Sequence, residues 1–200
     1  MNNIVIPFIT SAAMSLFMTP IVKKIAIKYG AVDIPKDDRR IHKKPMPLMG
    51  GLAIYISVVV ASLIFTPIDE SLLATIIGGT IILISGIIDD IKDLSPRAKL
   101  VFQIIAAIVL ILGDVKIDAI TNPFTKTSKL IELGIFSIPI TIFWVVGITN
   151  TLNLIDGLDG LAAGVAMIAS LSFLFVAGKF NYIPVTIMSN SRWLFGIFTI

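Results

Sequence analysis

Six stretches of almost unbroken apolar residues, separated by short polar connections, organise the chain. They cover roughly 3–22, 49–67, 71–88, 98–115, 138–155 and 161–178. Each approaches the ~20 residues that a helix needs to cross a bilayer. The runs are continuous rather than alternating, which predicts helices and not the strands of a barrel. A further run begins after Tyr182, but Ser189-Asn190-Ser191-Arg192 interrupts it. Its arginine would fall near the middle of a seventh span, at a cost of about 2.5–3.5 kcal/mol. The expectation is an all-α integral membrane protein with six transmembrane helices and a partial seventh.

Composition agrees with the pattern. Apolar residues make up 56% of the chain and charged residues 14%, with a mean hydropathy of +0.97, whereas soluble domains carry about 25% charged residues. The sequence has no cysteine, which excludes disulfides and a thiolate zinc site. The first apolar run lacks a basic start and a small-residue cleavage pattern, so it reads as a retained helix and not a signal peptide.

The net charge of +3 matters less than its placement. Lys23, Lys24, Lys28, Lys36, Arg39, Arg40, Lys43 and Lys44 lie between the first two runs, and Lys92, Arg97 and Lys99 between the third and fourth. The second connection carries Asp69 and Glu70 and no basic residue. Lys and Arg favour the cytoplasmic side, so the first, third and fifth connections are expected inside and the N-terminus outside. The fourth connection, 116–137, is then external. Alternation over 115–120 and partly over 129–133, around Asn122-Pro123, predicts a small β-hairpin there in a structural role. The basic loop lacks interleaved aromatic residues, so no nucleic-acid partner is expected.

The most informative stretch is 147–164, where Asn150, Asn153, Asp156 and Asp159 recur every third residue in apolar sequence. Steps of three keep successive members near one helix face. Gly157 and Gly160 predict that the helix stops near Asp156 and gives way to turns. A second acidic group, Asp89-Asp90 with Asp93, follows the third run. Asp89 and Asp90 are ~100° apart on a helix and cannot meet one ligand in the same way. Solvation by Lys92 and Arg97 is the plain explanation of that pair. Taken with Asp156 and Asp159 on the same side, the carboxylates predict a site for magnesium or manganese, completed by substrate phosphates.

In the first connection, Arg39, Arg40, Lys43 and Lys44, pinned by Pro45 and Pro47, can hold anionic phosphates. His42 is the only histidine, and by itself a loop histidine is usually just solvated. Gly50-Gly51 opens the second helix, for close approach of a ligand or for helix packing. Gln103, Trp144 and Met167 are expected in packing or interhelical hydrogen bonds. Bases suited to phosphate beside acids suited to a cation, all at headgroup height, predict phosphoryl transfer with one lipid reactant.

These residues carry a resemblance. Asp33-Ile34-Pro35, then Arg39-Arg40-Ile41-His42-Lys43-Lys44-Pro45-Met46-Pro47 with Gly50-Gly51, then Asp89-Asp90, then the run from Asn150 to Leu161 occur in order. Together they resemble the polyprenyl-phosphate N-acetylhexosamine-1-phosphate transferases, which include the peptidoglycan lipid I translocase and the enzymes that initiate teichoic acid and O-antigen. Asn-Leu-Ile-Asp-Gly-Leu-Asp-Gly-Leu is the specific part of the match. The first loop looks more like the UDP-GlcNAc-using branch than the muramoyl-pentapeptide branch.

The resemblance implies that undecaprenyl phosphate attacks a UDP-sugar and releases UMP, with magnesium as cofactor, at the membrane of a bacterial cell. It implies catalytic roles for Asp89 and Asp90 at the lipid phosphate. It implies substrate contacts from Arg39, His42, Lys43, Asn150, Asn153 and Asp159, and metal contacts from Asp156 and Asp89. A homodimer is compatible with it. It covers the N-terminal half of such proteins, over 1–180, and leaves 181–200 as an atypical tail. Later loops of the family carry a Gly-Asp metal motif and histidines that this sequence lacks, so a truncated, non-catalytic chain is one alternative. An ion-coupled transporter is the other, disfavoured because its carboxylates would sit near the bilayer midplane.

Overall fold

The computed structural model describes residues 2–33, 46–121, 130–156 and 161–179. Along the chain it forms α1 (Asn2–Lys28), β1 (Val32–Asp33), β2 (Met46–Pro47), α2 (Gly50–Phe65), α3 (Glu70–Lys92) and α4 (Pro96–Leu112). Then come β3 (Ala119–Thr121), β4 (Leu130–Glu132), a 3-10 turn at Gly134–Phe136, α5 (Ser137–Ile155) and α6 (Leu161–Lys179). Each of the six apolar runs is a helix. Among the described residues three helices, Val5–Lys28, Glu70–Lys92 and Gly134–Ile155, are long and apolar enough to cross a membrane. The run after Tyr182 lies outside the described residues.

Two helices overrun their expected ends. α1 continues to Lys28, so Lys23, Lys24 and Lys28 belong to its last turns and not to a loop. Basic side chains there complement the carbonyl end of the helix dipole. α3 continues to Lys92 and includes Asp89 and Asp90. It stops where Asp93 turns left-handed, at φ 51°.

The chain divides into two compact units, Met1–Thr66 with Gly79–Phe102, and Pro67–Gly78 with Gln103 onward. In the first, α1 packs along α2 around Val22, Ala26, Ala31, Met49 and Ala53, with Ile87 of α3 against them. Small residues let backbones approach closely, which matters where lipid removes the ordinary hydrophobic drive between helices. β1 and β2 pair antiparallel, Val32 opposite Pro47 and Asp33 opposite Met46. The two ends of the basic loop are therefore clipped together at the entrance to α2.

The second unit also relies on small residues. A side chain added at Gly113 would collide with Ala74, and one added at Gly78 would press on the Ala106 carbonyl and Leu110. β3 pairs antiparallel with β4, Ile120 opposite Ile131. Ahead of β3, Val115 and Ile117 are buried. The Ile117 N–H donates to Thr141 Oγ1 at 2.9 Å, and Thr141 Oγ1 donates to the Ser137 carbonyl at 2.7 Å.

Many large apolar side chains face outward, unlike those of a water-soluble protein. Among the described residues the largest fully enclosed side chains are Thr141 and Ser57, whereas Leu16, Phe143 and Leu154 are 77%, 79% and 83% exposed. Met167, expected in packing, is 62% exposed. Such surfaces are stable against hydrocarbon, and the enclosed hydroxyls satisfy themselves on helix carbonyls.

Candidate active site

In the first unit, the end of α3 is shaped by its own carboxylates. Asp89 Oδ1 accepts the Leu94 N–H at 2.9 Å, and the Asp89 carbonyl accepts the Asp93 N–H. This closes the helix and turns the chain toward α4. Asp89 Oδ2 is paired with Lys99 Nζ at 2.6 Å, both side chains being about one quarter exposed. The charge partner is thus Lys99, one turn into α4, and not Lys92 or Arg97. Lysines at 92 and 99 look equivalent in the sequence, but only 99 falls opposite Asp89 once Asp93 has reversed the chain.

Asp90 points elsewhere, as the ~100° step requires. Its Oδ2 accepts the Met49 N–H at 3.1 Å. Met49 is the residue before α2 and is itself left-handed, at φ 69°. A carboxylate beside the amide end of a helix is favoured by the helix dipole. This bond ties the acidic pair to the root of the basic loop, because Leu48 N–H donates to the Ala31 carbonyl at the same clip. Gly50 and Gly51 are exposed, and a Cβ at either would meet nothing within 4 Å. Helix packing inside this unit therefore does not explain the glycine pair.

In the second unit, the polar series on α5 changes character along its length. Asn150 is half-buried and engages Gln103 of α4. Asn153 is exposed on the same helix, and Asp156 is exposed at its C-terminal cap. The helix ends where the glycines predict, with the Asp156 N–H on the Leu152 carbonyl. Arg39, His42, Lys43 and Asp159 lie outside the described residues.

Among the described residues, no group of three or more His, Asp or Glu side chains is arranged to hold a metal ion. Both Asp89 oxygens are engaged, one by the Leu94 N–H and the other by Lys99. The described donors alone do not make a magnesium site.

Helices with apolar exteriors, acids at the ends of two of them and a basic segment whose two ends are clipped together define a membrane protein. The chain belongs to glycosyl transferase family 4, whose model matches residues 72–199. It is similar to the probable undecaprenyl-phosphate N-acetylglucosaminyl 1-phosphate transferase of Bacillus subtilis (strain 168), at 47% identity over 84% of this chain and 46% of that protein. It is 35% identical to the decaprenyl-phosphate N-acetylglucosaminephosphotransferase of Mycolicibacterium smegmatis, over 82% of this chain and 42% of the relative. It is 32% identical to the phospho-N-acetylmuramoyl-pentapeptide-transferase of Halalkalibacterium halodurans, over 94% of this chain and 61% of the relative. The chain spans about half the length of these curated relatives.

Proposed function

We propose that the chain serves a membrane transferase that moves N-acetylhexosamine 1-phosphate from a UDP-sugar to undecaprenyl phosphate. An oxygen of the lipid phosphate attacks the sugar-linked phosphorus, the bond from that phosphorus to the bridging oxygen breaks, and UMP leaves with that oxygen. UDP-N-acetylglucosamine is the favoured donor, since identity to the N-acetylglucosaminyl relative is 47% against 32% for the muramoyl-pentapeptide one. The observation that carries the reading is the Met49–Asp90 hydrogen bond, which holds an acid of α3 at the base of the Arg39–Arg40–Lys43–Lys44 loop.

In this proposal Asp90 and Asp89 act at the lipid phosphate, and the loop with His42 neutralises phosphate charge. Asn153, Asp156 and Asp159 serve the nucleotide. Magnesium is the proposed cofactor, drawn to Asp156 and the donor's diphosphate, where it would neutralise charge on the departing UMP. The proposed topology has six spans, the N-terminus and the β3–β4 connection outside, and the connections after α1, α3 and α5 in the cytoplasm. Cysteines placed singly at Ser95 and Leu158 should react with impermeant reagents from the same side; labelling from opposite sides would refute it.

Membranes containing the chain, supplied with radiolabelled UDP-N-acetylglucosamine, undecaprenyl phosphate and magnesium, should form a labelled lipid and UMP in equal amounts. The half-length match to the relatives favours a second reading, in which these 200 residues carry binding determinants without completing catalysis. UDP-sugar binding without turnover would select that reading, and neither binding nor turnover would end both.

A further inference from the structure

Asn150 and Gln103 form a reciprocal amide pair between α5 and α4. Asn150 Nδ2 donates to Gln103 Oε1 at 2.7 Å, and Gln103 Nε2 donates to Asn150 Oδ1 at 3.3 Å. Asn150 Nδ2 also donates to the Val146 carbonyl at 2.8 Å. That last bond fixes which Asn150 atom is nitrogen, because the reverse assignment would set two oxygens against each other. An asparagine amide has two N–H donors, and both are used. Asn150 therefore has no N–H left to offer a phosphate or a base unless the pair opens.

Gln103 is 6% exposed and lies in an apolar run, where an unpaired amide would be costly. Two side chains that meet each other's needs in this way fix the rotation of one helix about its axis relative to the other. Asn153 and Asp156 follow Asn150 by one and two further steps of the series, about 4.5 Å and 9 Å along the axis. Their directions are set by that rotation.

We propose that Gln103 is a positioning residue for the transfer reaction: by clasping Asn150 it fixes the rotation of α5 and aims Asn153 and Asp156 at the donor substrate. This rests on the transferase reading and moves Asn150 from substrate ligand to clasp. Gln103 touches no reactant. It acts through Asn150 and the α5 backbone.

The absence of cysteine makes Asn153→Cys a clean reporter. In that background Gln103→Leu should change the rate of reaction with an impermeant maleimide by about threefold or more, below the melting temperature of the variant. The exchange Gln103→Asn with Asn150→Gln should restore it. In the cysteine-free chain, Gln103→Leu should lower kcat more than it raises KM for the UDP-sugar. Asn150→Leu added to it should do little further harm, as expected for two halves of one device. A lowered melting temperature with unchanged labelling and kcat would make Gln103 merely structural and overturn the proposal. So would a loss of donor binding on Asn150→Leu that Gln103→Leu does not share. Altered labelling in a chain whose parent shows no turnover would uphold the clasp and remove the transferase reading instead.

Discussion

The carboxylates at the end of α3 and the polar series at the end of α5 look alike in sequence, yet they meet different partners. On α3 the protein answers its own charges: Leu94 and Lys99 occupy Asp89, and Met49 engages Asp90. On α5 the groups become steadily more open, from the clasped Asn150 to the exposed Asn153 and Asp156. The α3 acids shape the connections to α4 and α2 and already hold protein partners. Asn153 and Asp156 have no side-chain hydrogen bond among the described residues, so a ligand can take them without breaking one of those bonds.

The sharpest way to break this contrast is Asp156→Asn. An exposed cap with no side-chain partner among the described residues should be replaceable at almost no cost in stability, within about 0.5 kcal/mol. Turnover should nevertheless fall about 100-fold or more, the usual loss when a group that meets developing charge is removed. Normal melting with full activity would show that the open end of α5 is not where the reactants bind.

The opposite outcome is expected on α3. Lys99→Met removes a cation from an acid that is about three-quarters covered, leaving Asp89 charged and unpaired. Thermal or denaturant unfolding in detergent should show a loss of about 1–2 kcal/mol. Asp89→Asn with Lys99→Met should recover part of it, since the Leu94 N–H keeps an acceptor. A purely catalytic Lys99 would leave stability unchanged.

Much of this was legible in sequence because apolar runs and glycines act locally. Continuous hydrophobicity marked six helices, and Gly157 marked the end of α5 at Ile155. Alternation ahead of β3 matched the alternating burial of Val115 and Ile117. Partners across helices were not legible. Nothing local distinguishes Lys99 from Lys92 or Arg97; the choice depends on how Asp93 turns the chain. The same limit applies to Asn150, whose spacing groups it with Asn153 and Asp156, although Gln103, 47 positions away, has already taken its amide. For Gln103 the sequence left packing and an interhelical hydrogen bond both open; the structure shows the bond, because a buried amide in an apolar run must find a partner.

Asp93 allows a smaller test of how α3 ends. Its φ of 51° is a conformation that glycine adopts freely and aspartate less so. Asp93→Gly should raise stability by about 0.5 kcal/mol, offset in part by the freer unfolded chain. Calorimetry showing a loss of more than about 1 kcal/mol would mean that the Asp93 side chain holds a partner that matters.

The smallest effect is expected at Gly50, and it tests whether the exposed glycine pair serves the approach of a reactant. A Cβ there meets nothing within 4 Å, and alanine is the better helix former, so Gly50→Ala should stabilise the chain by a few tenths, about 0.3 kcal/mol. If the bare backbone beside Asp90 exists for a reactant to approach, the same methyl should raise KM for undecaprenyl phosphate while melting improves. Stability and KM would then move in opposite directions from one added carbon. Equal kinetics in the two proteins would leave the α2 entrance as scaffold and confine reactant contacts to the α5 end.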